Sequence, residues 1–370
     1  GGLLRVDLYP ALADPGAYVG LLVTELLLII PFTCGALVIA AILLRRPDHA
    51  GRTYALNLSA SALGGLCSPL LLNVLEPDRA LLIPTAMAGL GGLVMMGRST
   101  LSGRRITLLL LGLTGLAAVL PTGIRPSSHK DLARMQMLPD AHVSSSVPNA
   151  HGVFQVVEAP GLRLNVALSL DYPDPLPRIQ AACVNGDAVH ALIVPPCEPA
   201  RIYAQTPEGI LPALIPPGPV WLFDPETSLP IAAWSRLDPF RVTTTVGHPR
   251  LKQLLSREFV EVAFTQTRPR AFLQTVSGSA SLIRLPSPGP YVGSPGLGVL
   301  NEQPLFTSEG LAAAHDRLHP GGILVVTVAI DHPLRIAPRL LQTLKSGLSR
   351  TGTEQPETSV VALQSWSTLT

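Results

Sequence analysis

The sequence predicts a multi-pass α-helical membrane region, followed by a small β domain and an α/β domain with a doubly wound parallel sheet. Two observations support this fold class. Only 14% of the 370 residues are charged and the mean hydropathy is +0.37, whereas about 25% of residues are charged in a typical soluble domain. The longest apolar stretches lie in the first third, and after residue 125 short β-rich runs alternate with helical patterns.

The overall charge excludes one class of partner. The formal net charge is +2, from 27 Lys and Arg against 25 Asp and Glu, and no run of like charges concentrates it. Nucleic-acid binding depends on clustered cations that neutralise phosphates, so the sequence disfavours nucleic acid as a partner.

Four apolar stretches in the predicted membrane region, residues 1–124, are long enough to be transmembrane helices: 17–44, 53–75, 80–97 and 106–124. A bilayer core of about 30 Å requires about 20 apolar residues of helix, and lipid leaves no alternative partner for the backbone polar groups. Small residues in the second and third stretches favour close helix packing. Membrane lipid is therefore an expected partner.

The short loops predict an orientation in the membrane. Arginines cluster in two of the three loops, with Arg45, Arg46 and Arg52 in the first and Arg98, Arg104 and Arg105 in the third. The positive-inside rule places these loops in the cytoplasm, so the C-terminal domain is expected on the outer, periplasmic face of the inner membrane. Glu25, the one acid within a stretch, is read as a residue near the headgroups, with a functional intramembrane carboxylate as the alternative.

The remaining chain divides into three predicted parts. Residues 125–150 are expected to be a linker, 151–194 a small antiparallel β unit and 195–370 a Rossmann-like domain. Within the β unit the predicted strands are 152–158, 162–168 and 179–186. The Rossmann-like domain has predicted strands at 219–223, 241–246, 260–264, 281–285 and 321–330, separated by helical patterns. The proline-rich segment 195–219 is read either as extended surface for a partner or as wrapping.

Several segments resemble membrane-embedded members of the spermidine synthase (polyamine aminopropyltransferase) family. They are IIPFTCG, TYALNLSASALGG, GVFQVVE, PEGILPALIPPGPVWLFDPET, RPRAFL and LNEQPLFTSEGLAAAHDRLHPGGIL. The resemblance implies several membrane helices, a small β domain and a methyltransferase-like Rossmann domain. It also implies aminopropyl transfer from decarboxylated S-adenosylmethionine as the family activity.

The turn after the first Rossmann strand does not match a nucleoside site. Such a turn is normally rich in glycine, because the backbone must approach the ligand and leave a helix N-terminus open to it. Here it contains Asp224, Pro225 and Glu226 and no glycine. After the second strand, where the resemblance implies an acidic residue for the ribose hydroxyls, the chain has Gly247 and His248.

The positions implied for the chemical step are also altered. The resemblance implies acidic residues after the third and fourth strands, and the corresponding residues are Arg268, Ser281 and Ser287. No carboxylate remains there to deprotonate an attacking amine. The pocket is therefore interpreted as degenerate, with no catalytic residue and no cofactor expected.

Other candidate sites are weaker. Glycines 289, 293, 296 and 298 are spaced like a phosphate loop, but a surface loop is favoured because no helix follows directly. His315 and His319 are four residues apart on a predicted helix, but no third ligand is evident and no metal site is predicted. A triad of His248 with Glu208 or Asp238 is read as a chance pairing, since no GxSxG elbow is present.

Cys183 and Cys197 both lie in the part of the chain that follows the predicted membrane region. They could be bridged in an oxidising compartment or remain as two thiols, and the sequence leaves both possibilities open.

These observations predict that the protein is a non-catalytic integral membrane subunit. It would be a pseudoenzyme that serves as scaffold or anchor in a larger membrane complex. Its partners would be other protein subunits, and a redox or cytochrome assembly is one class suited to the outer face. The alternative is a divergent aminopropyltransferase or S-adenosylmethionine-dependent transferase. A third class, transport, has only Glu25 in its favour.

Overall fold

A computed structural model describes residues 15–45, 47–96, 101–119, 128, 130–163, 167–195, 197–288, 304–330 and 334–370. The chain divides into two compact units. The first comprises Gly1–His129 with Val147–Val153, and the second comprises Lys130–Ser146 with Phe154–Thr370.

The first unit is helical in its described part. Its helices are α1 (Pro15–Arg45), α2 (Ala50–Leu72), α3 (Pro77–Ala80), α4 (Leu82–Met96) and α5 (Leu101–Val119). All four predicted apolar stretches therefore form helices where the structure describes them. By length and composition, two helical segments could cross a membrane, Tyr18–Arg45 and Pro47–Leu72. None of the most apolar residues of either segment is buried within the protein.

Within the described residues, the helices of the third and fourth apolar stretches do not have the length and composition of a membrane span. Helix α4 has 15 residues, and in α5 a short apolar segment, Thr107–Leu116, follows two arginines. The four predicted spans are thus reduced to two within the described residues, and residues 97–100 and 120–127 lie outside them. Close packing of α4 against α5 is present, since a Cβ at Gly89 would lie 2.7 Å from Leu111 Cδ2.

The second unit begins with a four-stranded sheet. Its strands, in spatial order, are β1 (His142–Val147), β2 (Phe154–Glu158), β3 (Arg178–Val184) and β4 (Asp187–Val194). Strands β2, β3 and β4 are antiparallel. The β3–β4 turn contains Asn185 and Gly186, both with positive φ, which is the conformation that a tight two-residue hairpin turn requires.

One prediction for this part of the chain is wrong, and a second is not seen in the residues that the structure describes. Helix α6 (Asp131–Met135) and strand β1 lie within residues 125–150, which the sequence predicts to be a linker. Leu132 and Met135 are buried against the sheet, so the segment contributes to a core. The described residues of 162–168 form no strand, because Leu162 and Leu168 are buried from a loop and not from a paired strand.

The second unit continues into a five-stranded parallel sheet, which confirms the Rossmann-like prediction. Its spatial order is β7-β6-β5-β8-β9, and every pair is parallel. The strands are β5 (Pro219–Phe223), β6 (Arg241–Thr245), β7 (Ala263–Thr265), β8 (Ala280–Arg284) and β9 (Leu318–Val325). The remaining helices are α7 (Pro199–Tyr203), α8 (Leu211–Leu214), α9 (Leu229–Trp234), α10 (Pro249–Glu258), α11 (Pro269–Thr275), α12 (Ser308–His315) and α13 (Ile336–Arg350).

Both faces of the parallel sheet are covered, which explains its nearly continuous apolar strands. Val220 and Leu222 of β5 face a core that also contains residues of the four-stranded sheet, so the two sheets share it. Trp221 and Phe223 face the opposite core, where α11 and α12 pack. Alternation along one strand therefore fills two separate cores.

The end of the parallel sheet differs from the prediction of one strand over 321–330. Strand β9 ends at Val325, and β10 (Val328–Ala329) pairs antiparallel with β11 (Thr368–Leu369). Likewise, the proline-rich segment 195–219 is wrapping more than extended surface. It contains α7 and α8, and Ile202 and Leu211 are buried in the shared core.

The approach of Gly218 to β8 yields a test of the sheet packing. A Cβ at Gly218 would lie 2.4 Å from Ser281 Oγ, so we expect Gly218→Ala to lower the free energy of unfolding by about 1–3 kcal/mol. The Gly218→Ala/Ser281→Ala double variant should recover part of this loss, because the clashing oxygen is removed. The measurement is urea unfolding followed by tryptophan fluorescence, which reports on the second unit because all three tryptophans lie there. Additive losses in the double variant would contradict the contact.

Candidate functional site

The carboxyl ends of β5 and β8 lie side by side where the strand order reverses, which is where ligands bind in doubly wound sheets. A buried ion-pair network is present here. Arg284, the last residue of β8, donates from Nε to both carboxylate oxygens of Glu208 at 3.0 and 2.9 Å. Its Nη1 donates to Glu226 Oε2 at 3.0 Å. The Arg284 side chain is only 6% exposed, and the two carboxylates are 7% and 14% exposed.

The network continues on the Glu208 side. Glu208 also accepts hydrogen bonds from Tyr203 Oη at 3.2 Å and from Thr327 Oγ1 at 2.9 Å. Trp234 Nε1 in turn donates to Tyr203 Oη at 2.9 Å. Burial, reinforced by the Glu208 charge, raises the pKa of Tyr203 well above its usual 10, so its hydroxyl stays protonated and can donate.

The turn after β5 is held by its own polar groups. Asp224 has φ +40°, and its N–H donates to the Thr245 carbonyl at 3.1 Å. The Asp224 carboxylate accepts from Gly247 N at 2.9 Å, and burial raises the pKa of this carboxyl. Pro225 has no N–H, and Glu226 accepts from Ser287 N in addition to Arg284.

The same turn is also attached to strand β4. Ala191 N donates to the Glu226 carbonyl at 2.7 Å, and Ser228 N donates back to the Ala191 carbonyl at 2.9 Å. His190 Nδ1 donates to the Pro225 carbonyl at 2.6 Å. The turn therefore acts as a short addition to the edge of β4, and it does not present a row of backbone donors as a phosphate-binding turn would.

The other predicted site residues are not brought together. His248 lies at the N-cap of α10, where Nδ1 accepts from Arg250 N at 3.3 Å and its ring stacks on Phe154. Arg268 is exposed at the N-cap of α11. Ser281 is buried near the beginning of β8, away from its carboxyl end. Among the seven residues predicted for the degenerate pocket, two pairs are in contact: Asp224 with Gly247, and Glu226 with Ser287.

The alternative constellations are not assembled either. Glu208 is bound by Arg284, so it does not form the third member of a His248 triad. His315 ends α12 whereas His319 lies in β9, so the two histidines do not share a helix. Within the described residues, no group of three potential metal ligands is found. The glycines at 289–298 lie outside those residues.

Cys183 and Cys197 are both free thiols. Cys183 is buried in the four-stranded sheet, and burial raises its pKa to about 12. The sequence allows either a disulfide or two thiols at these positions, and the structure has two thiols.

Arg284 is a site residue that is not among those predicted from the sequence, although the sequence contains a signal for it. Arg284 is the only charged residue in the apolar run SLIRL, and a charge in a strand that is covered on both faces requires a buried partner. Its two partners could not be identified from spacing, because they lie 76 and 58 residues away in the sequence.

Comparison with known proteins adds little beyond the fold. No protein-family model matches the chain, and no curated protein matches it. Similar solved structures include a spermidine synthase in complex with the transition-state analogue AdoDATO, with TM-score 0.34 and 11% identity over 56% of this chain. Spermidine synthase from Thermotoga maritima has TM-score 0.35 and 12% identity, also over 56% of this chain. The chain matches 63% of each of those proteins, and similarities this low carry no argument about activity.

The ion-pair network predicts a large stability effect at one position. We expect Arg284→Met to lower the free energy of unfolding by about 3–5 kcal/mol, because it leaves two buried carboxylates without their counter-charge. The control is Arg201→Met, which breaks the more exposed ion pair with Asp174 and should cost less than about 1 kcal/mol. Unfolding is measured by tryptophan fluorescence in urea. Equal losses in the two variants would contradict the structural importance of the network.

The buried histidine predicts a pH dependence of stability. Burial lowers the pKa of His190 from 6.5 to about 4, and its Nε2 is buried with no hydrogen-bond partner. The unfolded chain therefore takes up a proton between about pH 6.5 and pH 4 that the folded chain does not, so the unfolding free energy falls as the pH is lowered through this range. The contribution is about 3 kcal/mol, and the raised pKa of Asp224 acts in the opposite direction.

The measurement is the unfolding free energy of the wild type and of His190→Gln at pH values from 7 down to 4. The variant should lose stability less steeply than the wild type over this range. Parallel curves for the two proteins would contradict the assignment to His190.

Proposed function

We propose that this chain is a non-catalytic integral membrane protein whose Rossmann-like domain is a scaffold or anchor within a larger membrane complex. The helices that could cross a membrane support the anchoring part of the proposal. The distribution of arginines in the loops supports a periplasmic location for the second unit. Other protein subunits are the proposed partners, with a redox or cytochrome assembly as one class.

The observation that carries the non-catalytic part is the placement of Arg284 between Glu208 and Glu226. These groups occupy the carboxyl ends of the strands at the switch point, where a nucleoside would be expected. A ligand that bound to Glu226 would have to compete with the guanidinium of Arg284. Breaking such a buried pair costs about 3–5 kcal/mol, which is a large share of the binding energy of a micromolar ligand, about 8 kcal/mol.

The geometry of the turn after β5 supports the same proposal. Asp224 and Glu226 place two carboxyl groups where the phosphates of a dinucleotide would lie, and like charges repel. The backbone N–H of Asp224 is already bonded to Thr245. A group that removes the proton from an amine nucleophile is required for aminopropyl transfer, and Ser281 and Ser287 cannot provide it.

The test is isothermal titration calorimetry of the purified full-length chain in mild detergent. S-adenosylmethionine and its decarboxylated form are titrated separately, and an S-adenosylmethionine-dependent methyltransferase serves as the positive control in the same buffer. We expect no saturable heat at ligand concentrations up to about 1 mM, which corresponds to binding weaker than about 4 kcal/mol.

Micromolar affinity for either nucleoside would overturn the scaffold proposal and favour a divergent transferase. In that case the variant Glu226→Gln should change the affinity, because Glu226 lies at the switch point. Co-purification from the native membrane then identifies which proteins accompany the chain, and isolation of the chain alone would contradict the subunit role.

A further inference from the structure

The charged residues that border the first two helices divide into two groups of opposite sign. Residues 26–44 and 53–75 contain no charged side chain. At one end of both stretches lie Arg45 and Arg52, with Asp48 between them, and at the other end lie Glu25 and Glu76. The arginines predict the orientation, and Glu25 has two possible interpretations from the sequence alone.

The lengths of the two uncharged stretches match a bilayer. Residues 26–44 of α1 rise about 28 Å and residues 53–72 of α2 rise about 30 Å at 1.5 Å per residue, against a hydrocarbon core of about 30 Å. Glu25 is therefore one bilayer core away from Arg45, not one or two turns inside the membrane. This position removes the cost of burying its carboxylate in lipid.

The surface of these helices fits lipid better than a protein core. Leu26, Phe32 and Val38 are all exposed, and at 100° per residue they lie about 120° apart around the helix. Such a helix has no polar face to direct toward water. Phe32 and Leu44 are 78% and 82% exposed, so the first unit does not cover them within its described part.

The connection between the helices has the charge to contact one leaflet. Arg45 ends α1, the 3-10 helix Pro47–His49 follows, and Arg52 lies in the first turn of α2. The side chains of Arg45, Asp48, His49 and Arg52 are all exposed. Two exposed arginines against one aspartate give a net positive tip, which is attracted to anionic headgroups.

From these positions we infer that α1 and α2 form a membrane-spanning hairpin whose tip, with Arg45 and Arg52, binds the anionic headgroups of one leaflet. Glu25 and Glu76 lie at the headgroups of the opposite leaflet. The inference rests on the membrane anchoring in the proposed function and adds its register and its lipid preference. It assigns Glu25 to the bilayer boundary and gives it no role in transport.

Two native cysteines provide the test. Cys34 and Cys67 are exposed on α1 and α2, and the register places Cys34 about 12 Å and Cys67 about 8 Å from the nearer boundary. A thiol must be hydrated to ionise and react, so lipid should protect both residues. Glu25→Cys and His49→Cys, made separately in a Cys197→Ser background, place matched probes at the two boundaries.

The full chain is reconstituted in vesicles of phosphatidylcholine and phosphatidylglycerol, and a membrane-impermeant maleimide is introduced on both sides by freeze–thaw. We expect Cys34 and Cys67 to react about tenfold or more slowly than either boundary probe, and to react fully after denaturation in detergent. Reaction of Cys34 or Cys67 at the rate of the His49→Cys probe would overturn the register. If the protein still floats with the vesicles, that result contradicts the register and leaves the membrane anchor intact.

Two further measurements separate lipid from protein contacts and test the tip. A fluorophore on Cys34 should be quenched by lipids that carry a spin label deep in the acyl chain, and absence of quenching would show that protein covers this site. A fluorophore on His49→Cys should be quenched by spin-labelled phosphatidylglycerol. Quenching should fall in Arg45→Gln/Arg52→Gln and at high salt, and an unchanged signal in that variant would contradict headgroup binding by the arginines.

Discussion

The ion pair of Arg284 with Glu208 and Glu226 is the interaction on which the second unit depends most. It connects the segment before β5, the turn after β5 and the end of β8. A guanidinium without partners could not remain in this position, because the desolvation of an unpaired charge costs several kcal/mol. The three segments must therefore be in place together, and Tyr203, Trp234 and Thr327 extend the same requirement to α7, α9 and the residues after β9.

This arrangement uses the switch point of a doubly wound sheet for internal contacts. Such a crevice normally leaves polar groups free for a ligand, and in this chain those groups bind one another. An arginine with two carboxylate partners occupies this crevice in one rigid arrangement, because its planar donors fix the directions of both partners. The proposed loss of catalysis and the stability of the fold would then have the same physical origin.

The sequence predicts those features that depend on local periodicity. The apolar runs in β5 and β8, the four apolar helices and the order of strands and helices follow from residue spacing alone. The sequence predicts poorly those features of the fold that depend on long-range contacts. Leu162 and Leu168 alternate like strand residues but are buried from a loop, and β1 is too polar for its pairing to be recognised. For the site, Asp224 and Glu226 are found because they follow a predicted strand, whereas the Glu208–Arg284 pair depends on the folded arrangement.

The attachment of the turn to β4 has a consequence for how this protein can change. Strand β4 forms one border of the four-stranded sheet, and the bridge between Ala191 and Thr227 covers part of it. An uncovered strand border is a template for intermolecular pairing. Substituting glycines into residues 225–228 to create a ligand-binding turn would therefore also expose an unpaired edge of β4. A change toward ligand binding would begin with a gain in self-association, before any benefit from an opened pocket.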